Sequence, residues 1–422
     1  MATTCPGSAA PLTGVRVPGT QLFKVTKAMA EKFQGVDFYD IESLLSEEER
    51  MVRDTVREWV EDQVLPVIRD AYIQRRFPTE LIPGMAELGM LGANLPADYC
   101  CPGLNNVAYG LIMQELERGD SGIRSFASVQ GSLVMYPIFT WGSEEQKREW
   151  LPKLASGEKI GCFGLTEPDY GSNPGGMITT AKRTADGWVL NGAKMWITNG
   201  SMADVAVVWA QTEEIGDRKG IRGFIVPTDT PGFSARDQNG KLSLLASDTS
   251  ELAMEGVELP VDALLPETSG LGNPLMCLTQ ARYGIAWGVV GSAMACYHEA
   301  LGYAKERVMF DGPIASKQLQ QARLADMLTR ITQGQLLALQ LGRLKDRGEA
   351  TPAQVSMAKR ANVDMACETA REARRLLGAN GILVEYAAMR HMANLESVYT
   401  YEGTHDMHTL ILGQEITGIP AF

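Results

Sequence analysis

At 422 residues, 45% hydrophobic and 21% charged, the chain has the length for two or three domains and the composition of an ordinary globular protein. Its formal net charge of -12 argues against broad binding to nucleic acid or anionic membrane, and no stretch reaches the length of a membrane-spanning helix. Seven cysteines at irregular spacings, with no Cys-x-x-Cys pair, suit reduced thiols better than a disulfide framework.

Residues 1–38 read as a flexible arm. The segment is rich in Ala, Thr, Gly and Pro and lacks the apolar core of a secretory signal. Arg16 is the only arginine in its first part, which gives a mitochondrial presequence little support, so a cytoplasmic, bacterial setting is expected over a mitochondrial matrix. Residues 39–160 carry a helical pattern. Ser46 followed by Glu47, Glu48 and Glu49 is a helix start, with acidic residues at the positive end of the dipole. Pro66 lies inside the pattern behind it and is expected to bend or end that helix. Further helices are expected over 79–91, 105–118, 128–141 and 143–155.

From 161 to 270 the runs become short, β-branched and broken by Gly, Pro and Asn, as in a β-domain. Trp188-Val189-Leu190, Asn191-Gly192 and Ala193–Thr198 read as a hairpin with a two-residue turn. Val205–Ala210 and Gly223–Pro227 read as further strands. From 271 to 422 the helical period returns, with helices expected over 275–310, 314–347, 352–377, 383–395 and 404–417. Gly378, Asn380 and Gly381 supply a turn between two of them. Long helices with short connections suggest an antiparallel bundle, so the whole reads as an α+β multidomain chain: helices, then strands, then helices.

Chemistry concentrates near the end, in Tyr401-Glu402-Gly403-Thr404-His405-Asp406-Met407-His408. A carboxylate between an aromatic ring and a glycine can sit in a poorly hydrated cleft with a raised pKa, which suits a general base. A plain turn leading into a polar first helical turn, with Thr404 or Asp406 near the N-terminus, is the competing reading. Glu402 and His405 also form a Glu-x-x-His pair, the spacing of di-iron bundles. None of the other three histidines has a Glu three residues before it, so no metal is expected. The chain has no Gly-x-Gly-x-x-Gly turn, P-loop or Gly-x-Ser-x-Gly elbow. In Cys162–Ser172, glycines, a proline and the hydroxyls of Thr166 and Ser172 crowd together, either as a binding surface for a planar ring or phosphate or as an ordinary loop. Trp196-Ile197-Thr198 offers an aromatic wall and a hydroxyl, or simply a core tryptophan.

These three stretches, in this order and separation, resemble the acyl-CoA dehydrogenase flavoprotein family over nearly everything from about residue 40 to Phe422. Gly122–Ser125, Ala281–Gly288 and Leu341–Asp346 are similar to members of the family that act on glutaryl-CoA. The resemblance implies an N-terminal α-helical domain, a central β-domain and a C-terminal four-helix bundle, assembled as a homotetramer, with FAD between β-domain and bundle. Phe163, Leu165, Thr166 and Ser172 match a first flavin-binding segment, and Trp196 and Thr198 a second. Arg307, Phe310 and Gln318 match residues that hold the ADP end of FAD across a subunit boundary; spacing alone leaves Arg307 an exposed helical arginine. Arg375, Gly378 and Ala379 match the next flavin segment, and Thr404 also faces the cofactor. Here the chain departs twice: the usual Gly-Gly is Gly378-Ala379, and Asn173 replaces the acid that usually follows Gly-Ser.

Glu402 matches the catalytic base. Ser125, Ser172, Arg282, Tyr401 and Gly403 match substrate-binding positions, and Arg124, paired with Glu117, would hold a distal carboxylate. On spacing alone that pair is equally a surface ion pair at a helix end. The implied reaction takes glutaryl-CoA to crotonyl-CoA and CO2, with electrons passed to an electron-transfer flavoprotein. Three alternatives stand beside it: a non-decarboxylating glutaryl-CoA dehydrogenase, a short-chain acyl-CoA dehydrogenase or oxidase, and a non-catalytic flavin-fold binding protein.

Overall fold

Polar residues placed ahead of apolar helical faces define where the first helices begin. In this computed structural model, which describes residues 33–212 and 220–421, Ser46 accepts the N–H of Glu49 and Glu49 bonds back to the N–H of Ser46. Helix α1 (Glu47–Trp59) thus opens on a reciprocal cap with three glutamates in its first turn. The Pro66 expectation is met in part: α1 ends ahead of the proline, but the chain does not leave helical structure. The chain passes through a π turn at Val60–Val64 and resumes as α2 (Leu65–Gln74), with Pro66 in the first turn, where its missing N–H is tolerated.

The helix expected over 79–91 is a 3-10 turn at Thr79–Leu81 followed by a short α3 (Ile82–Glu87). Next come α4 (Asn106–Gly119), α5 (Ser121–Ser128), a second π turn at Val129–Met135, α6 (Tyr136–Trp141) and α7 (Glu144–Ala155). The single helix expected over 128–141 is therefore divided, again with a proline, Pro137, just past the π turn. The arm expected over 1–38 is corrected at its inner end. Val36 is buried and its carbonyl accepts from Gln335 at 2.8 Å, while the Asp37 carboxylate accepts the N–H groups of Ile41 and Glu42. Residues 1–32 of that expectation lie outside the described residues.

The strands are β1 (Gly161–Gly164), β2 (Thr180–Arg183), β3 (Gly187–Thr198), β4 (Val205–Gln211), β5 (Ile221–Pro227), β6 (Phe233–Asp237) and β7 (Thr249–Pro260). They form one sheet in the order β1-β4-β2-β3-β7-β6, with β5 also on β4. Strand β4 is buried along its whole length, which explains its unbroken apolar run. The hairpin expected at Asn191-Gly192 does not form. Strand β3 runs straight through these residues, pairing with β2 on one side and β7 on the other, and a register shift between Leu190 and Gly192 absorbs them as a bulge. The Asn191 side chain accepts the N–H of Gly256 at 2.8 Å instead of closing a turn. Two flanking partners outweigh the local turn preference.

Helices α8 (Gly272–Glu306), α9 (Gln318–Asp346), α10 (Pro352–Leu376), α11 (Ala387–Thr400) and α12 (His405–Thr417) make the C-terminal part, with the two-stranded ribbon β8 (Val308–Met309) and β9 (Gly312–Pro313) between α8 and α9. Helix α8 stops at Glu306, earlier than expected, because the chain beyond it pairs as this ribbon. Helix α11 starts later than expected, because after the 3-10 turn at Gly378–Ile382 the chain turns again, with the Tyr386 N–H on the Leu383 carbonyl at 3.2 Å. Helix α8 packs against α9, α10, α11 and the N-terminal α4.

Glycines on α8 govern that last contact. A Cβ on Gly291 would lie 1.8 Å from the carbonyl oxygen of Gln114, and one on Gly288 would lie 2.2 Å from Glu117 Oε2. The close approach leaves room for the Glu117 carboxylate between the two helices and no more. Gly291→Ala must push α4 away, at about 2–3 kcal/mol. Gly302 on the same helix faces nothing within 4 Å. Denaturant titration should show the Gly291→Ala loss and near-neutral behaviour for Gly302→Ala.

Candidate active site

Two helices meet at a short turn. Helix α11 closes with the Tyr401 N–H on the carbonyl of Ser397 at 2.9 Å, and Thr404 caps α12 by accepting the N–H of Met407 at 3.2 Å. Between them Glu402 has φ 52° and Gly403 φ 96°. A side chain at 403 would crowd His408 Nε2 at 3.0 Å and Arg282 Nη2 at 3.2 Å, so only glycine fits. Glutamate in the left-handed region costs about 1–2 kcal/mol, the kind of strain that gathers at working sites. Glu402 Oε2 is buried without a partner. Among the described residues its N–H makes no hydrogen bond either. Burial raises the Glu402 carboxyl above its ordinary range, against the pull of Arg124, Arg282 and Lys359.

Arg124 comes from α5 and Glu117 from α4, and both are fully buried. Arg124 Nε donates to Glu117 Oε2 at 2.7 Å, and Ser121 donates to the other carboxylate oxygen at 2.9 Å. Arg124 Nη2 donates to the Tyr401 hydroxyl, and the guanidinium carbon lies 5.6 Å from the centre of that ring. Nη1 is buried and has no partner. Burial works against the Arg124 charge, but Glu117, Tyr401 and Glu402 outweigh it and keep the guanidinium protonated. Burial likewise lifts the Tyr401 hydroxyl, against Arg124, so it stays neutral. Asp120 holds these elements together. Its carboxylate caps α5 through the N–H of Gly122 at 2.8 Å and also receives Arg390 and Asn394 from α11. The helix carrying Arg124 and the helix leading to Glu402 are thereby tied to one anion.

Three further groups close the cleft. Lys359 Nζ, from α10, donates to the carbonyls of Tyr401 at 3.1 Å and Gly403 at 2.9 Å. Arg282 Nε, from α8, donates to the carbonyl of Glu402 at 2.6 Å. His408 is fully buried, and burial together with Lys359 and Arg282 pushes it down to about 3 and keeps it neutral. His405 turns to stack on Tyr399 at 4.5 Å, and among the described residues no three His, Cys, Asp or Glu side chains gather as a metal site.

The expected cofactor positions fall in two groups. Thr166 accepts the N–H of Met195 at 2.9 Å on its carbonyl, which sets the first segment beside Trp196. Trp196 is 62% exposed with φ 63°, so it is not a core tryptophan, and Thr198 ends the same strand. Phe163 and Leu165 are buried, Ser172 is exposed, and Ser125 is buried one residue past Arg124. A buried pair fixes this loop: Glu167 accepts Lys194 Nζ at 2.9 Å and the N–H groups of Ile178 and Thr179. Arg307 and Phe310 lie on the connection between α8 and α9, with Phe310 96% exposed, and Gln318 opens α9. Arg375, Gly378 and Ala379 are exposed at the end of α10. Neither set bonds to the Glu402 cluster, and Arg307 caps α8 in extended conformation, which corrects its expected helical place.

Sequence reading missed Lys359, Asp120, Glu167 and Lys194. Lys359 left one trace: it stands four residues from both Val355 and Val363, on the apolar stripe of α10.

The chain matches three parts of one family: "Acyl-CoA dehydrogenase, N-terminal domain" over residues 46–158, "middle domain" over 162–257 and "C-terminal domain" over 268–417. It belongs to the acyl-CoA dehydrogenase family. A crystal structure of glutaryl-CoA dehydrogenase from Mycobacterium smegmatis is 57% identical, with TM-score 0.88, covering 90% of this chain and 97% of that one. A second glutaryl-CoA dehydrogenase structure from Mycobacterium smegmatis, in complex with FADH2, is 51% identical with TM-score 0.89, covering 92% and 99%. The mitochondrial short-chain specific acyl-CoA dehydrogenase of Bos taurus is 36% identical over 369 residues, 87% of this chain and 90% of that protein.

The raised Glu402 carboxyl has a stability consequence with a definite sign. A folded-state pKa above the unfolded one stabilises the fold below the unfolded carboxylate range, and that contribution is lost as pH rises through the folded value. Glu402→Gln does not titrate. Urea unfolding should therefore show the variant gaining stability over the parent at pH 8 relative to pH 4.5; an equal difference at both pH values contradicts the raised carboxyl.

Proposed function

We propose that this acyl-CoA dehydrogenase oxidises and decarboxylates glutaryl-CoA to crotonyl-CoA and CO2. The observation that carries the reading is the buried Arg124, satisfied by Glu117 and Tyr401 on two of its nitrogens and unpartnered on Nη1. It shares a cleft with the unpartnered Glu402 Oε2. A substrate with a thioester near one end and a carboxylate at the other fits both vacant groups. A plain fatty-acyl chain gives no reason to bury a cation, because desolvation is costly. The 57% identity to a glutaryl-CoA dehydrogenase supports the same substrate.

Glu402 takes the α-proton of the thioester, and its own free N–H steadies the charge that develops on the thioester oxygen. Arg124 holds the distal carboxylate and fixes the chain across Glu402. The residues fit FAD: exposed Trp196, Thr198 on the same strand and the Thr166 segment, bonded to Met195, lie together and would receive the flavin ring. FAD, when bound, supplies the acceptor for the β-hydrogen and its electron pair. With the double bond in place, the distal carboxylate becomes vinylogous to the thioester, and its C–C bond to CO2 can break into an extended enolate. The N–H of Glu402 steadies that charge a second time, and protonated Glu402 returns its proton at the γ-carbon. Thr404 and Ser172 would border the cofactor, and Arg307, Phe310, Gln318, Arg375, Gly378 and Ala379 would hold its ADP end in a homotetramer. The exposed Phe310 supports a neighbour there. An electron-transfer flavoprotein would take the electrons.

Purified protein incubated with glutaryl-CoA and an electron acceptor should release CO2 and crotonyl-CoA in equal amounts; glutaconyl-CoA without CO2 contradicts the decarboxylating reading. Glu402→Gln should lower turnover by ~10² or more. Replacing the buried pair together, Arg124→Gln with Glu117→Gln, avoids stranding one charge. Its kcat/KM should fall ~10²-fold for glutaryl-CoA but only a few-fold for butyryl-CoA. Equal losses on both substrates contradict the carboxylate anchor.

A further inference from the structure

The turn that carries Glu402 is held by its carbonyls. Those of Tyr401 and Gly403 each accept from Lys359 Nζ, and the one between them accepts from Arg282 Nε. Three successive main-chain acceptors thus face two cationic side chains from two different helices of the bundle, Lys359 buried and Arg282 half-buried. Carbonyls turned toward these cations leave the N–H of Glu402 pointing elsewhere, and it is unbonded among the described residues. The left-handed φ of 52° at Glu402 and 96° at Gly403 is the backbone that this arrangement demands.

Lys359 does no other visible work. It is 1% exposed, forms no ion pair, and has the two carbonyls as its only hydrogen-bond acceptors among the described residues. Burying an ammonium for two neutral acceptors is costly, so a leucine at this point of the stripe would be the stabilising choice.

We propose that Lys359 is a positioning residue for proton abstraction, clamping the carbonyls on either side of Glu402 so that the carboxylate and N–H of Glu402 address the same thioester. Burial draws Lys359 down to about 7, and the nearby Glu402 carboxylate opposes that. Without the clamp, the turn can relax toward ordinary backbone. Carboxylate and N–H then no longer converge on one acyl group, whereas the CoA-binding surface is untouched. This inference rests on Glu402 being the base, so its test must tell the two apart.

Acetyl-CoA carries α-hydrogens but no β-hydrogens, so it undergoes proton abstraction without oxidation. In D2O the α C–H bond breaks, the proton goes to Glu402, and the electron pair moves onto the thioester oxygen. After the carboxyl exchanges with solvent, a deuteron returns to carbon. Deuterium uptake by mass spectrometry reads this step alone. Flavin-loaded Lys359→Met should exchange ~10²-fold more slowly than the parent, with KM for glutaryl-CoA changed less than about threefold. Lys359→Gln keeps a neutral donor on a shorter stem and should lose ~10-fold, which carries the test if the Met variant does not fold. Glu402→Gln should abolish exchange. Parent-like exchange in Glu402→Gln overturns the base assignment. Abolished exchange in Glu402→Gln with parent-like exchange in folded Lys359→Met or Lys359→Gln overturns the clamp alone. A raised KM with unchanged exchange also overturns it, because it would assign Lys359 to substrate binding.

Discussion

A carboxylate with one oxygen shut off from water, beside three cationic side chains that it does not pair with, is the interaction around which this chain is built. Glu402 Oε2 has no partner, although Arg124, Arg282 and Lys359 all act on its charge. Each cation is already engaged elsewhere: Arg124 by Glu117 and Tyr401, Arg282 by the Glu402 carbonyl, Lys359 by the carbonyls beside it. They keep the carboxyl ionisable without quenching it as a salt bridge would. That balance is what a base acting on a weakly acidic C–H requires.

The fold serves the balance by bringing four helices and one interhelical turn to one point. Arg124 comes from α5, Glu117 from α4, Arg282 from α8, Lys359 from α10, and Glu402 from the turn between α11 and α12. Glycines at 288 and 291 let α8 approach α4 closely enough to enclose the Arg124–Glu117 pair. Asp120 locks α5 to α11, so that the distance between Arg124 and Glu402 is set by packing and not by a flexible loop. Under the proposed reaction, that distance is the ruler against which an acyl chain would be measured.

Much of this was legible in the residues. The helix–strand–helix order followed from periodicity, and Ser46 with Glu49 marked a helix start that the structure keeps. The terminal stretch stood out because it gathers carboxylates, a hydroxyl and imidazoles around one glycine, although a plain turn into a polar helix start is the competing reading. What escaped depended on partners distant in the chain. Asn191-Gly192 carries a strong local turn signal, but pairing on both edges of β3 overrides it. Pro66 looks like a break and Pro137 does not, yet both stand in the first turn of a helix that resumes after a π turn. Lys359 is hidden because its acceptors are main-chain carbonyls, which leave no signature in side-chain identity. Arg307, Phe310 and Gln318 were legible only through the resemblance, and the cofactor role proposed for them calls on a second copy beside the exposed Phe310.

The pH dependence of kcat/KM tests the central claim most directly. With glutaryl-CoA as substrate, the acid limb should fall at an apparent pKa above the ordinary carboxylate range, because burial raises Glu402 against the surrounding cations. The residual activity of Glu402→Gln should lack that limb. An acid limb at the value of a solvent-exposed carboxylate, or one that survives unchanged in Glu402→Gln, would contradict the account.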